Sequence, residues 1–142
     1  MHLVVDPVEW RALAQDIAAA GGRLLALWGT NRVGQCDTLH AVAIAPPRVI
    51  SMSIAIADGT QQYPGVQDVF PSASRMQRAV FDLCGLRSTE QDTRPWLRHA
   101  AWPVDAFPLA ADPMPSSLPS PIDDYAFVRV EGDGVHEIAV GP

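Results

Sequence analysis

The chain has 142 residues and is 48% hydrophobic, which is enough for one packed core but too short for two. It contains no apolar run of the roughly 18–20 residues that a membrane-spanning helix needs. Its net charge is −6, and its ten basic residues, all arginine, form no continuous stripe that would bind nucleic acid. The two distant cysteines, and an N-terminus without a basic signal region, predict a reduced, cytoplasmic protein.

The N-terminal segment predicts a short strand followed by a helix. Residues 2–5 are mainly apolar, and Asp6, Pro7 and Glu9 form the capping-box pattern that begins a helix. The apolar residues that follow are spaced by three and four positions, as on one helical face: Trp10, Leu13, Ala14, Ile17 and Ala18. Gly21 and Gly22 end this pattern, so we expect a helix over about residues 7–20.

Three further strands are predicted in the first half of the chain. Residues 24–28 and 39–45 are short apolar runs, separated by a loop that begins at residue 29. Residues 48–57 alternate between larger apolar side chains and serine or alanine, which predicts a strand because a helix would scatter them around its axis. Residues 61–71 contain two prolines and a glycine and are predicted to be irregular.

A second helix is predicted over residues 72–84. Ser72 is the candidate N-cap, apolar residues recur after it at helical spacing, and Gly85 is the candidate C-cap. Arg78 and Asp82 lie four residues apart on this helix. That spacing favours a surface ion pair, worth about 0.3–0.5 kcal/mol.

The C-terminal part of the chain has a different composition. Six prolines between residues 103 and 121 predict an extended linker over residues 104–123. Residues 125–130 and 135–140 flank a Glu-Gly-Asp-Gly turn, which predicts a β-hairpin within residues 124–142. Residues 1–103 are then one α+β domain, a two-layer sandwich in which two main helices cover one face of a ferredoxin-like, mixed or antiparallel sheet.

The sequence contains no recognisable catalytic or cofactor motif. A nucleophile elbow, a zinc-protease motif, a dinucleotide fingerprint and a phosphate-binding loop are all missing. The four histidines lack metal-ligand spacing, and Cys84 falls on the apolar side of the second helix, where a buried inert thiol is expected. We therefore expect no catalytic site and no metal, flavin or nicotinamide cofactor in this chain.

The segment from Arg94 to His99 combines arginines with Trp96. Composition leaves two interpretations open. One is a solvated turn with a half-buried tryptophan; the other is a docking surface, because tryptophan and arginine are enriched at interface hot spots. The candidate docking residues are Arg78, Asp82, Arg94, Trp96 and Arg98.

Two motifs in the middle of the chain indicate a family. Residues 63–73 read YPGVQDVFPSA, and residues 77–86 read QRAVFDLCGL. They resemble the YPSV…FPAA segment and the helix E-R-E-x-x-D-M/L-F/Y-G-I/L of the C subunit of respiratory complex I, the NADH–quinone oxidoreductase. The same segments occur in the N-terminal domain of membrane-linked nickel–iron hydrogenase large subunits of the formate hydrogenlyase type. The helix matches at Arg78, Asp82, Leu83, Gly85 and Leu86, and it departs at Gln77, Ala79 and Cys84. The loss of two acids at 77 and 79 suggests altered partner contacts.

Residues 131–142 carry a further resemblance. They read EGDGVHEIAVGP, which resembles EGEGVHEIPVGP at the opening of a hydrogenase-type large subunit. The C subunit carries no cofactor and lies beside the large and iron–sulfur subunits in the peripheral arm. The resemblance thus implies a non-catalytic assembly domain of such a complex, cytoplasmic and peripheral to the membrane, with those subunits as partners. A free-standing domain that binds a small ligand remains the alternative, and an independent enzyme is less favoured.

Overall fold

The computed structural model describes residues 1–31, 37–57, 59–99, 101–110, 114–117 and 132–134. The two predicted strands of the C-terminal hairpin lie outside these residues. The elements follow in chain order: β1 (His2–Val4), α1 (Pro7–Ala19), β2 (Arg23–Thr30), β3 (Thr38–Ala45), β4 (Arg48–Ala55), β5 (Gln62–Tyr63), α2 (Ala73–Cys84) and β6 (Arg87–Ser88). None of the helices in these ranges is long and apolar enough to cross a membrane.

Four strands form one mixed sheet in the order β1-β4-β3-β2. β1 runs parallel to β4, whereas β3 is antiparallel to both of its neighbours. The short strands β5 and β6 form a separate parallel pair. The predicted α+β fold, with two main helices and a mixed sheet, is confirmed.

Helix α1 begins as the sequence predicts. The Asp6 carboxylate accepts hydrogen bonds of 2.8 Å from the N–H groups of Val8 and Glu9, and the Glu9 carboxylate accepts one of 3.0 Å from the Asp6 N–H. These bonds satisfy backbone donors that the first helical turn leaves unpaired. Just after the helix, Gly21 has a φ of 71°, a conformation that glycine adopts without strain. The helix buries three of the predicted apolar side chains: Trp10, Ala14 and Ile17.

The sheet buries one face under both helices. The alternate residues of β4 are buried as predicted: Ile50, Met52, Ile54 and, just beyond the strand, Ile56. Met52 lies opposite Ala41 of β3, which is also buried. These residues form one hydrophobic cluster with the buried residues of α1 and α2. The opposite face carries Trp28, 41% exposed and stacked on His40 with ring centroids 5.3 Å apart.

Helix α2 packs closely on β2 at Gly29. A side-chain carbon at Gly29 would lie 3.2–3.3 Å from atoms of Leu86, Cys84 and Val80, so the helix approaches the strand where no side chain intervenes. The helix ends as predicted at Gly85, which has a φ of 76°. The predicted N-cap is only partly right: Ser72 precedes the helix but makes no capping bond, because its φ of −62° and ψ of −22° are already helical.

Two predicted strand ends differ from the structure, and one segment predicted to be irregular contains a strand. β2 continues through Thr30 into the predicted loop, because Gly29 and Thr30 pair with residues of β3. β4 ends at Ala55 rather than 57, because the Ala57 carbonyl accepts bonds from the N–H and hydroxyl of Thr60 and so forms a turn. The segment predicted to be irregular contains β5, since a two-residue strand shows no alternation.

Candidate docking surface

Four of the five candidate docking residues, all except Arg98, lie together along α2. Arg78 and Asp82 belong to the helix itself, and Arg94, Trp96 and Arg98 belong to the segment after β6, which returns alongside it. Trp96, Leu97, Arg75 and Arg94 are exposed, and the Arg78 side chain, only 12% exposed, lies against the indole. We term these five residues the Trp96 surface: Arg75, Arg78, Arg94, Trp96 and Leu97.

Asp82 anchors the backbone of this surface. Its side chain is only 1% exposed, and its Oδ2 accepts hydrogen bonds from the Trp96 N–H at 2.6 Å and from the Leu97 N–H at 2.7 Å. Hydrogen bonds to a charged acceptor are stronger than those between neutral groups, and a buried carboxylate needs them. Asp82 therefore fixes the position of the two exposed side chains rather than contacting solvent itself.

The predicted ion pair between Arg78 and Asp82 is wrong. Arg78 instead lies beside Asp92, with its Nε 3.7 Å from Asp92 Oδ2. The spacing of four residues permits a pair on the helix surface, but Asp82 faces the returning segment, whose backbone N–H groups it accepts. Both side chains thus connect α2 to the segment after β6.

Trp96 is half-exposed and contacts two guanidinium groups. Its side chain is 47% exposed, and the guanidinium carbons of Arg75 and Arg78 lie 4.8 Å and 5.4 Å from its ring centroid. Cation–π contacts at exposed sites are worth about 0.5–1 kcal/mol each. The neighbouring Leu97 is 48% exposed. The surface therefore presents apolar area in a fixed orientation, with positive charge around it.

Asp92 forms ion pairs with two arginines of the surface, Arg78 and Arg94. It accepts bonds from Arg94 Nε and Nη2, both at 2.9 Å, and from the Ser74 hydroxyl at 3.4 Å. The hydrogen bonds from Arg94 hold the pKa of the Asp92 carboxyl well below its usual value, and the nearby charge of Arg78 acts in the same direction. Arg94 itself remains 78% exposed. One carboxylate thus orients two arginines while leaving the local charge positive.

Arg98 is placed differently from the other candidates. Its guanidinium donates to the carbonyl oxygens of Pro103 and Ala106 and lies 5.4 Å from the ring centroid of Phe107. Phe107 in turn packs edge-on against Phe81 of α2. Arg98 therefore helps to hold the segment that contains Phe107 against α2.

Sequence reasoning missed the hydrogen bonds by which both helices hold the YPGV segment, residues 63–66, and the chain just after it. Gln77 is buried, and its side-chain oxygen accepts a hydrogen bond of 2.7 Å from the Val66 N–H. Arg11 of α1 pairs with Asp68 and donates to the Gly65 carbonyl. At Gln77 the departure from the family pattern therefore affects a contact within the chain, and the expected change in partner contacts stays a prediction. Nothing in the local sequence signals this bond, because its partners are 11 residues apart.

Cys84 and Tyr63 are buried ionisable side chains in the part of the chain that the structure describes. Burial raises the pKa of the Cys84 thiol to about 11, which leaves little reactive thiolate at neutral pH. Burial also raises the pKa of the Tyr63 phenol. In the ranges that the structure describes, no group of three or more His, Cys, Asp or Glu side chains could hold a metal ion. Cys36 lies outside those ranges.

Comparisons with known proteins provide two findings. Residues 3–116 match a family described as respiratory-chain NADH dehydrogenase, 30-kDa subunit. The fold is similar to a solved structure of Nqo5, a trypsin-resistant fragment of residues 1–134. The TM-score is 0.54 and the identity 15%, over 64% of this chain and 78% of that one. At that identity the structural likeness concerns the fold alone. No curated protein matches the chain.

Proposed function

The chain belongs to the family of the respiratory-chain NADH dehydrogenase 30-kDa subunit, and on that premise we propose that it is a non-catalytic docking domain. It binds beside the large and iron–sulfur subunits of an electron-transfer complex of the NADH dehydrogenase or nickel–iron hydrogenase type. The complex lies on the cytoplasmic side, peripheral to the membrane. The domain carries no cofactor, and the electrons pass through cofactors of the other subunits.

The observation that carries the proposal is the fixed, half-exposed side chain of Trp96. A solvated turn does not need a buried carboxylate that accepts two of its backbone N–H groups, yet Asp82 does this for Trp96 and Leu97. Holding an exposed indole in place reduces the side-chain entropy that would otherwise be lost on binding. Tryptophan and arginine are also the residues that most often dominate binding energy at interfaces.

The local charge supports an acidic partner surface. Five of the ten arginines of the chain lie between residues 75 and 98, where there are three acidic residues. The segment is thus positive within a chain whose net charge is −6. Complementary charge increases the rate of association and selects against wrong partners. We therefore expect carboxylates on the partner opposite Arg75 and Arg94.

The test compares two exposed tryptophans on different surfaces. Trp96→Ala removes the centre of the Trp96 surface, and Trp28→Ala removes an indole of similar exposure from the open face of the sheet. Each variant is first checked for native melting and then mixed with the purified large and iron–sulfur subunits. We expect Trp96→Ala to weaken assembly by about thirtyfold, the loss of roughly 2 kcal/mol typical of a hot spot, and Trp28→Ala to assemble normally.

Equal affinity of the wild type and Trp96→Ala would refute the docking role of this surface. A loss of affinity in Trp28→Ala alone would show that the partner binds the face of the sheet opposite the helices. Arg94→Ala gives a second measure of the same surface, because Arg94 is exposed and its removal leaves the Asp82 anchor intact. Its effect should be larger at low ionic strength, as expected for a contact between charges.

A further inference from the structure

An apolar groove runs beside the C-terminal end of β4, away from the Trp96 surface residues. Its volume is about 700 Å³, and we term it the β4 groove. Its walls come from the end of β4, the start of α1 and the chain around β5, and the lining residues used below are Ala55, Ala57, Gln62 and Tyr63. The groove is open, and none of its lining residues in the part of the chain that the structure describes is charged, so it differs from the closed, polar pocket that a small polar ligand would need.

One wall of the groove is an unpaired edge of the main sheet. The Ile56 N–H bonds to the Asp37 carbonyl on the β3 side, so the main-chain groups of Ala55 and Ala57 face the other side. On that side the pairing with β1 ends where the Val5 N–H bonds to the Ser53 carbonyl, and the chain then turns into α1. Within the described residues, no hydrogen bond is formed by the Ala55 or Ala57 N–H on this side.

The opposite wall presents a second edge. The carbonyls of Gln61 and Tyr63 accept from Arg87 and Thr89, so these residues face β6. Gln62, between them, directs its main-chain groups away from β6, and it lines the groove. Two edges with backbone donors and acceptors therefore border one apolar space.

We propose that the β4 groove receives an extended, uncharged segment of a partner subunit, which pairs as an added β-strand with Ala55 and Ala57. Only an extended polypeptide repeats backbone donors and acceptors at the two-residue interval of such an edge. The lining residues that the structure describes are uncharged and mostly apolar, which favours a segment with small or apolar side chains. The inference rests on the assembly role proposed above and adds a second contact to it.

Amide hydrogen exchange in the free chain and in the assembled complex tests the pairing. We expect the Ala55 and Ala57 amides to exchange rapidly in the free chain and at least tenfold more slowly in the complex. The Val49 amide, whose N–H faces the same side at the far end of β4, serves as the internal reference. Unchanged exchange at Ala55 and Ala57 on assembly would refute the inference. Slow exchange already in the free chain would also refute it, because the groove would then be filled from within the chain.

A matched pair of variants separates this inference from the docking role of Trp96. Ala55→Pro removes the outward N–H at the groove, and Val49→Pro removes an outward N–H of the same strand away from it. We expect only Ala55→Pro to weaken assembly, by about tenfold. If Ala55→Pro lowers the melting temperature, Ala57→Arg fills the exposed end of the groove outside the strand instead. Normal assembly of the groove variants, together with loss in Trp96→Ala, would overturn the added strand and leave the docking function standing.

Discussion

Arg78 and Asp82 are one helical turn apart, yet both interact with the segment after β6: the Arg78 guanidinium lies at ion-pair distance from Asp92, and the Asp82 carboxylate accepts two backbone hydrogen bonds. The arginines and Trp96 could be recognised in the sequence as candidate interface residues, although composition left a solvated turn with a half-buried tryptophan equally open. The partners of Arg78 and Asp82 could not be predicted, since Asp82 bonds to residues 14 and 15 positions further along the chain. Spacing rules within a helix describe neighbours on its surface and not the chain that returns to it.

Substitution of Asp82 should release the backbone of the Trp96 surface. Asp82→Ala leaves two N–H groups without their acceptor, which should lower the free energy of unfolding by about 1–3 kcal/mol. Asp82→Asn keeps an acceptor oxygen and should lose less. The measurements are urea unfolding and amide exchange of Trp96 and Leu97, both of which should exchange faster in Asp82→Ala. If the alanine and asparagine variants were equal and neither amide exchanged faster, Asp82 would not be the anchor.

The carboxyl of Asp92 makes the stability depend on pH in a predictable direction. Because Arg94 holds the pKa of the Asp92 carboxyl in the folded chain below its ordinary value of about 4, the ionised carboxylate stabilises the fold above that pH, and this contribution is lost as the pH falls through the folded pKa. Asp92→Asn should therefore be less stable than the wild type at pH 7, and the difference should shrink below about pH 4. Urea unfolding of both proteins at pH 7, 4 and 2.5 measures this. The difference should also be smaller in an Arg94→Ala background, and a pH-independent difference would contradict the explanation.

At the scale of elements, the helices and strands with the longest sequence patterns are the ones whose bounds the sequence predicts best. Helix α1 has a capping box, and β4 has eight residues of alternation, so both were predicted close to their observed bounds. β5 and β6 have two residues each and pair across 25 positions, so no local pattern marks them. The predicted β2 is too short because glycine is typical of loops. In the structure Gly29 is part of the strand, and its missing side chain lets α2 pack closely there.

Gly29→Ala tests how tightly α2 packs on β2. The added methyl would lie 3.2–3.3 Å from atoms of three core residues at once, and such overpacking should exceed the entropic benefit of replacing glycine. We expect a loss of about 1 kcal/mol in the free energy of unfolding, measured by urea denaturation. An unchanged or higher stability would show that α2 can shift outward at no cost.

On the scale of the whole molecule, the chain beyond residue 103 contributes contacts to the helical layer. The Leu109 N–H bonds to the Leu83 carbonyl at 2.8 Å, and Phe107 packs on Phe81 with ring centroids 5.5 Å apart. The composition of this stretch, rich in proline, predicts only a linker from residue 104, since it contains no periodic apolar pattern. The boundary between the predicted domain of residues 1–103 and the linker stays a prediction.

Two shortened chains test that boundary. A chain that ends after Pro103 loses Phe107 and the Ala106 carbonyl that Arg98 contacts, whereas a chain that ends after Ser117 keeps both. We expect the shorter chain to melt roughly 5–10 °C lower than the longer one, as the loss of one packed aromatic side chain implies. Phe107→Ala in the full chain should reproduce most of this difference. Equal melting of the two shortened chains would place the boundary at residue 103, as the composition predicts.

Because Trp96 lies beside two arginines, the quenching of its fluorescence by ions should depend on whether a partner is bound. Trp10 is fully buried, whereas Trp96 is half-exposed and lies beside two guanidinium groups. Iodide, an anionic collisional quencher, is attracted to that positive site and excluded from the core, whereas caesium is repelled from the same site. In a Trp28→Phe, Trp102→Phe background, which leaves Trp96 as the exposed indole, the ratio of iodide to caesium quenching of the intrinsic fluorescence should therefore be high in the free chain and fall when a partner covers Trp96. Docking can thus be followed without any attached dye.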